Sequence, residues 1–385
     1  MPPTFSDRQY AWEDREQGVI TLDSVASHAN RQEVLLGEAA GSLKLPVLRL
    51  RFRNPDQDIT AYEASHRLYD AIFRDARLGG KLFRTPLRTP APTVASIPPI
   101  EEGGLESAVV EGASKAKKAP KAKGRRASSQ GAGLEPVEVS TDGTSLEEAT
   151  QDYATPLYLL GPHCLIYGCW DSTGSAGGMG AKFARAIESR VTGHEARSLK
   201  GTASKLDTAR LLSLPAYHDR ETLSWTIDPE RAFEVEGEKV RFGKKTKDLA
   251  ELNFSNIPPS IIDHGGVTIT YAMQRWVLSL PALRVLRFPE QKGQVASEER
   301  NNAARTVLAL LALCGLSRLW DKGLWFRSGC TLELAAEPQI EIIYGRGRQP
   351  ERLSITTSGV DTAYLQALIE AEKHGLSMRA GPIDL

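Results

Sequence analysis

Lysine and arginine side chains that suit a phosphate backbone recur in several separate segments of the chain. Phosphate attraction does not depend on base sequence, so a protein that follows a nucleic-acid strand needs such contacts spread over its surface. The pattern predicts electrostatic binding of a nucleic-acid backbone. The candidate positions are Arg49, Arg51, Arg67, Lys81, Arg84, Lys182, Arg185, Lys200, Lys205, Arg284 and Arg287.

A glycine-rich turn offers a second kind of anion contact. Residues 174–180 read Gly-Ser-Ala-Gly-Gly-Met-Gly, with Gly177 and Gly178 near the centre. Backbone N–H groups in such a turn, or at a helix N-terminus, favour anions. The segment lacks the Gly-Lys-Ser/Thr of a P-loop and the spacing of a dinucleotide-binding turn. It predicts either a nucleic-acid phosphate site helped by Lys182 and Arg185 or a tight turn without a ligand.

Patterns for catalysis and for metal binding are weak. Candidate groups for a nuclease are scattered, and no spacing brings acids and general bases together. A histidine and cysteine group lacks the second pair that completes a zinc site, which favours buried cysteines. We therefore predict no catalytic residue, no metal site and no cofactor. The groups are the acids Asp70, Asp171 and Asp207, the bases His66, His163 and His218, and the group His163, Cys164 and Cys169.

The composition is that of a globular protein without an overall charge. The 385 residues include 48 Lys plus Arg and 48 Asp plus Glu, so any basic surface must come from uneven placement. Four cysteines without a C-x-x-C pair favour a reducing cytoplasm. The sequence lacks the pattern of a secretory signal, and no apolar run approaches the roughly 18 residues of a membrane span. We predict a cytoplasmic protein.

The first elements that would position these cations lie near the N-terminus. Residues 1–44 are polar and mixed, and we predict an extension with some helix. Residues 47–53 alternate between apolar and basic types, which predicts a strand with Arg49 and Arg51 on its open face. That face is either a nucleic-acid contact or a plain solvated face.

Apolar periodicity predicts further helices and strands. Met179, Phe183, Ile187 and Val191 recur every four residues, which predicts a helix directly after the glycine-rich turn. The mixed, non-alternating order of elements predicts an α+β fold. The other predicted elements are helices over 60–76, around 273–280, over 300–313 and around Tyr364, Leu365, Leu368 and Ile369, and strands over 164–170, 324–328 and 339–344.

Residues 86–152 differ from the rest in composition. Prolines, the Lys/Arg-rich run 115–126 and a following acidic stretch offer too little apolar surface to fold. We predict a flexible insertion whose basic run either touches nucleic acid non-specifically or is a plain linker. The predicted organisation is an N-terminal extension, 1–44, and one domain, 45–385, that carries this insertion.

Five segments together carry a family resemblance: 65–75 (SHRLYDAIFRD), 165–174 (LIYGCWDSTG), 180–186 (GAKFARA), 278–289 (LSLPALRVLRFP) and 304–309 (ARTVLA). They resemble the backbone subunit of type I-U (also called I-G) CRISPR complexes, the Csb-one branch of the Cas-seven family within the RAMP superfamily. The Trp-Asp-Ser-Thr-Gly and Gly-x-Lys-Phe pieces, in this order, are the most specific. The resemblance extends from about residue 47 to about residue 335, without the insertion.

The resemblance implies an RRM-like (ferredoxin-like) palm with large thumb-like and helical insertions. It implies a non-catalytic, RNA-binding structural subunit whose copies stack along a CRISPR RNA in a Cascade surveillance ribonucleoprotein for antiviral defence. Base pairing by the guide then reads the target DNA. The implied partners are CRISPR RNA, target DNA through the guide, other copies of the chain, a large subunit and a fused processing and end-capping subunit, with no membrane.

The chain departs from the family pattern at 204–208, where Ser-Lys-Leu-Asp-Thr stands in place of Ser-Arg-x-Asp-Pro. The shape of that loop is therefore open, and residues 1–44 and 115–126 are unmatched. Two alternatives also stay open. One is an RNA endonuclease of the same superfamily that uses Asp171 or Asp207, and the other is a protein-only scaffold.

Overall fold

The structure, a computed structural model, describes part of the chain. The described residues are 10–53, 56–74, 76–78, 81–82, 146–171, 182–208, 210, 214–222, 224–242, 254 and 256–385. Most of the predicted insertion with its basic run lies outside these residues. So do Arg84 and the glycine-rich turn with Gly177 and Gly178.

Helices and mostly antiparallel strands follow one another in mixed order; the RRM-like palm stays a prediction. The helices are α1 (Val25–Glu38), α2 (Ala71–Arg74), α3 (Thr155–Leu160), α4 (His163–Tyr167), α5 (Leu280–Val285), α6 (Glu298–Lys322) and α7 (Thr357–Lys373). The strands are β1 (Trp12–Asp14), β2 (Val19–Asp23), β3 (Pro46–Arg53), β4 (Asp56–Thr60), β5 (Arg77–Leu78), β6 (Lys81–Leu82), β7 (Cys169–Trp170), β8 (Lys182–Phe183), β9 (Ile187–His194), β10 (Arg197–Lys205), β11 (Tyr217–His218), β12 (Trp225–Thr226), β13 (Glu234–Val235), β14 (Glu238–Lys239), β15 (Ile257–Thr268), β16 (Tyr271–Leu278), β17 (Leu324–Arg327), β18 (Cys330–Leu332), β19 (Ile340–Ile342), β20 (Glu351–Leu353) and β21 (Gly381–Asp384).

A four-stranded antiparallel sheet in the order β1-β2-β9-β16 organises one part of the fold. Ser24 caps α1 directly after β2, so the strand leads straight into the helix. α1 packs against β9 and α6, and an apolar cluster that includes Ile20, Leu35, Val191 and Leu319 lies beside the sheet. β1, β2 and α1 therefore pack into the fold, whereas the division into an N-terminal extension, 1–44, and one domain, 45–385, stays a prediction.

α6 lies in the main hydrophobic core. Val307, Leu308 and Leu311 are fully buried, and α7 packs along the helix with Tyr364 and Leu368 buried. α6 is long and apolar enough to cross a membrane, contrary to the expectation from the sequence, but its most apolar part is 61% buried inside the protein. Such burial is typical of a helix in a protein core.

The predicted helix over 300–313 lies within α6, and the strands near 324–328 and 339–344 correspond to β17 and β19. These three predictions are confirmed, as is the terminal helix, α7. On this helix Tyr364 and Leu368 are buried, whereas Ile369 is 54% exposed.

Two predicted helices are strands. The residues around Phe183, Ile187 and Val191 form β8 and β9, and those around Met273 form β16. A spacing of four residues is close to one helical turn, but it is also an even number, so it keeps side chains on one face of a strand. Ile187, Ser189 and Val191 are buried and their neighbours Glu188 and Arg190 are exposed, which is the period of two of a strand.

Two other segments also differ from their predicted form. The helix predicted over 60–76 is replaced by the end of β4, turns, a 3-10 helix at Arg67–Tyr69 and α2. Glu63 accepts hydrogen bonds from the backbone N–H and the hydroxyl of Thr60, at 2.9 and 2.8 Å, which ties the chain into a turn. The strand predicted over 164–170 is α4 followed by the two residues of β7.

Arg67 explains the shape of this region. Its backbone has a φ of +56°, which a non-glycine residue rarely adopts. The side chain is 8% exposed and donates two hydrogen bonds to Glu33 on α1, at 2.5 and 2.6 Å, and one to the carbonyl oxygen of Gly168, at 2.8 Å. Burial opposes the charge of Arg67, but the hydrogen bonds to Glu33 outweigh it and raise the pKa of the guanidinium. The ion pair fastens residues 67–69 and the α4–β7 junction to α1.

We expect Arg67→Ala to destabilise the fold by about 3–5 kcal/mol, because it leaves the Glu33 carboxylate buried without a partner. Urea unfolding of the two proteins measures the difference. Arg352→Ala is the control, since Arg352 is 80% exposed in its pair with Glu341 and should cost less than about 1 kcal/mol. A similar, small loss in both variants would contradict the structural role of Arg67.

Candidate nucleic-acid interface

Four strands form two consecutive antiparallel pairs on which the candidate interface is built. β9 pairs with β16 over eight residue pairs, from Ile187↔Leu278 to His194↔Tyr271. β10 follows β9 and pairs with β15, which leads back into β16. We call the β10–β15 pair the arm; at about 3.3 Å per residue, the nine residues of β10 span about 30 Å.

A partly buried polar network fixes which face of β16 points outward. Trp320 on α6 donates to the Gln274 side-chain oxygen at 2.9 Å, so the Gln274 amide nitrogen faces His28 and Ser189, at 3.0 and 3.2 Å. Because that amide only donates, His28 accepts at Nε2 and donates from Nδ1 to Asp23, at 2.9 Å. Gln274 therefore points inward, and its neighbour Arg275 lies on the open face.

The open face brings two arginines together. Arg190 on β9 lies directly opposite Arg275 on β16, and both are exposed. Like charges in this cross-strand position repel each other. Arg190 has a partner in Glu13, at 3.2 Å, whereas Arg275 reaches the sulfur of Met273, at 3.3 Å, and no carboxylate within the described residues. The pair leaves a local positive charge that an anion would neutralise.

An aromatic pair lies at the end of the same strand pair. The rings of His194 and Tyr271 are stacked, with centroids 4.8 Å apart and planes within 2°. His194 is held by a 3.0 Å contact between its Nε2 and the hydroxyl of Thr192, and Tyr271 is 47% exposed. Aromatic rings beside cations provide the stacking surface and the charge that proteins use for single-stranded nucleic acids.

The arm carries two of the predicted cations, Lys200 and Lys205, and both are exposed. Between Leu199↔Gly266 and Gly201↔Ile262 the register shifts, so Lys200 lies at a bulge. A Cβ on Gly265 would lie 2.1 Å from the backbone nitrogen of Gly201, so the close approach of the strands there requires glycine.

Lys182 and Arg185 lie where the chain enters β9. Trp170 pairs with Lys182 across β7 and β8, and the Lys182 ammonium lies 5.8 Å from the centre of the indole ring. Arg185 donates to the carbonyl oxygen of Tyr167 at 3.1 Å. Neither cation has a carboxylate partner in the described part of the chain. Four predicted cations thus lie on one continuous stretch of sequence, 182–205, which forms β8, β9 and β10.

We call the cations of this stretch and its partner strand the basic track. Residues 182–205 contain six Lys and Arg residues but only two Glu residues. The basic track consists of Lys182, Arg185, Arg190, Arg197, Lys200, Lys205 and Arg275.

Other predicted cations are neutralised or have structural contacts. Arg49 and Arg51 share Asp384, at 2.8 and 3.1 Å, and Asp58, at 3.5 and 4.0 Å, so the basic face predicted for β3 is paired with carboxylates. Arg67 is buried against Glu33, which does not fit its predicted role as a phosphate contact. Lys81 begins β6, in a two-stranded sheet with β5.

Arg284 and Arg287 lie at and just after the end of α5. Both are exposed, and Arg287 donates to the carbonyl oxygen of Arg284 at 2.8 Å. The same carbonyl accepts from Arg305, at 3.1 Å, so the loop is held against α6. Its two cations are on the surface but outside the basic track.

The groups considered for catalysis and metal binding do not converge among the described residues. No group of three or more His, Cys, Asp and Glu side chains there could hold a metal ion. His163 and Cys164 are fully buried, 3.9 Å apart at Nε2 and Sγ, and the His163 ring lies 4.2 Å from that of Tyr62. Asp171 is 2% exposed.

Sequence reasoning missed four residues of the open face: Arg190, Arg275, His194 and Tyr271. Their signal is the alternation of buried and exposed positions in β9, which the spacing of four concealed. Once 187–194 and 271–278 are strands, alternation places all four on one face.

One protein-family model matches the chain. The model described as CRISPR-associated protein GSU0053 matches residues 1–97 and 91–198, together about half of the chain. The match defines a CRISPR-associated protein. The chain belongs to the CRISPR-associated protein GSU0053 family, which confirms the resemblance to the type I-U group. No curated protein matches the chain.

We expect Arg275→Thr to raise the free energy of unfolding by about 0.2–1 kcal/mol, because it removes the like-charge contact with Arg190. The same change should weaken RNA binding. Thermal unfolding and fluorescence anisotropy with labelled single-stranded RNA measure the two effects. Lower stability with unchanged binding would make Arg275 a structural residue.

Acid should weaken the network that holds β16. Burial alone raises the pKa of Asp23, but the hydrogen bonds from His28 and Ser27 and the charge of Arg31 outweigh it, so the pKa lies below its ordinary value of 3.8. A carboxyl group whose pKa is lowered by folding stabilises the fold at pH values above its ordinary pKa. This contribution is lost as the pH falls through the pKa of the group in the folded protein.

We therefore expect urea stability to fall below about pH 4 in the wild type. Asp23→Asn should be less stable at neutral pH and should lose less stability in acid. Equal losses in acid for both proteins would contradict the assignment to Asp23.

Proposed function

We propose that the chain is an RNA-binding structural subunit of a type I-U (I-G) CRISPR surveillance complex, whose copies assemble along the guide RNA. Family membership supports a role in CRISPR defence. The observation that carries the RNA-binding role is the basic track. In a chain with zero net charge, paired cations such as Arg49 differ from the track cations Lys182, Arg185, Lys200 and Arg275, which have no carboxylate partner among the described residues.

In this proposal, the sheet β1-β2-β9-β16 with α1 and α6 serves as the RRM-like palm of an α+β domain, and the arm as a thumb-like insertion. The track binds phosphates without reading bases, and the guide reads the target DNA by base pairing. The further partners are other copies of the chain, the large subunit and the fused processing and end-capping subunit. The proposed location is the cytoplasm.

The proposed role is non-catalytic. An RNA endonuclease would need an acid that reaches the substrate, and Asp171 is buried. Asp207 lies on the chain just after the arm strand β10, where no described group of acids or histidines could hold a metal with it. The scaffold alternative, without nucleic acid, leaves the like-charged Arg190 and Arg275 unexplained.

We expect Lys182→Ala with Arg185→Ala to weaken binding of single-stranded RNA and to reduce its salt dependence. Each lost phosphate contact should remove about 0.7 from the slope of log K against log salt concentration. Fluorescence anisotropy over a salt series measures this slope. Lys322→Ala is the control, because Lys322 is an exposed cation that is paired with Glu38 at 2.8 Å.

Three results would contradict the proposal. An unchanged salt slope in the double variant would show that Lys182 and Arg185 do not contact RNA phosphates. Wild-type protein that neither co-purifies with RNA nor binds it would favour the scaffold. RNA cleaved in the presence of Mg²⁺ by the wild type, but not by Asp171→Asn or Asp207→Asn, would establish the nuclease.

A further inference from the structure

The β19–β20 hairpin carries a second basic feature, far along the chain from the basic track. Residues 343–350 connect the strands and read Ile-Tyr-Gly-Arg-Gly-Arg-Gln-Pro, and all eight are exposed. The backbone N–H of Arg348 donates to the carbonyl oxygen of Gly345 at 3.1 Å, which closes a four-residue turn. The central residues, Arg346 and Gly347, have φ values of +49° and +74°, as type I′ turns require.

Arg346 is an unexpected residue at this position. Glycine, asparagine and aspartate are favoured at the first central position of such a turn, and a long side chain with positive φ is disfavoured. Local conformation therefore does not explain the arginine. Its side chain makes no ion pair with any residue that the structure describes. A contact outside the chain would explain why arginine occupies this position.

Arg348 is held in place by an aromatic ring. Its guanidinium carbon lies 3.8 Å from the centre of the Tyr344 ring, and the Tyr344 hydroxyl donates to Glu351 at 2.7 Å. Stacking holds the plane of the guanidinium, while its N–H groups remain available at the edge. Arg348 makes no ion pair with a carboxylate among the described residues, and Glu351, the acid nearest in sequence, accepts the hydrogen bond from Tyr344.

The same hairpin contains a paired arginine for comparison. Arg352 lies 3.2 Å from Glu341 on the opposite strand. Arg346 and Arg348 at the turn therefore form the part of the hairpin with excess positive charge. The chemistry of two exposed guanidinium groups, one stacked on an aromatic ring, fits consecutive phosphates of a nucleic-acid strand.

We propose that the turn Gly345–Arg348 is a second nucleic-acid contact, in which Arg346 and Arg348 bind phosphates of single-stranded RNA. The proposal rests on the proposed function and extends it to a site outside the residues that the family model matches. Tyr344 is a positioning residue, because it acts through the guanidinium of Arg348.

Full-length Arg346→Gly/Arg348→Ala tests the proposal. Glycine adopts a positive φ without steric strain, so the replacement at position 346 should preserve the turn. We expect affinity for fluorescein-labelled single-stranded RNA to fall roughly fivefold to tenfold, and the salt slope to fall by about 1.4 for two lost contacts. Arg352→Ala, in the same hairpin, should change neither quantity.

The outcomes separate this site from the proposed function. If the turn variant binds like the wild type while Lys182→Ala/Arg185→Ala loses affinity, the turn site is wrong and the RNA-binding role stands. If the wild type does not bind RNA, both are wrong. If RNA binding is unchanged but sedimentation shows lost self-association, the turn is a protein contact, which also overturns the proposal.

Discussion

The hydrogen bonds of Gln274 determine which face of β16 points outward and forms the candidate interface. Trp320 can only donate, so it fixes the orientation of the Gln274 amide, and the amide in turn fixes the donor and acceptor nitrogens of His28. Asp23 completes the network between β2, α1, β16 and α6. A one-residue slip of β16 would bury Arg275 and expose Gln274, so the network specifies the register as well as the packing.

The distribution of ion pairs separates structural from available cations. Arg67 with Glu33, Arg318 with Asp361 and Lys322 with Glu38 join elements that are distant in sequence. Among the track cations, Lys182 lies beside an aromatic ring, Arg185 donates to a backbone carbonyl and Arg275 reaches a sulfur instead. Equal numbers of acidic and basic residues therefore conceal an uneven charge distribution, which is what electrostatic binding of a polyanion requires.

The sequence predicts some elements well because one periodicity dominates them. Apolar residues in α6 are dense enough to specify a buried helix by themselves. In β9 and β16 a spacing of four residues fits helix and strand alike, and only long-range pairing decides between them. The pairing of Arg49 with Asp384 joins residues 335 positions apart, and no local pattern in β3 predicts it. The candidate site was therefore predicted as dispersed cations, of which Lys182, Arg185, Lys200 and Lys205 lie on one stretch of chain that runs through β8, β9 and β10.

A neutral chain with a local basic track suits the proposed assembly along RNA. Strongly basic copies would repel one another when placed side by side, and the repulsion would oppose polymerisation. A chain with zero net charge avoids this while the track still neutralises phosphates. The same arrangement leaves base edges free, because contacts to phosphates carry no sequence information. In the proposed complex, binding strength then comes from the protein and target choice from the guide, so a single subunit serves every guide sequence.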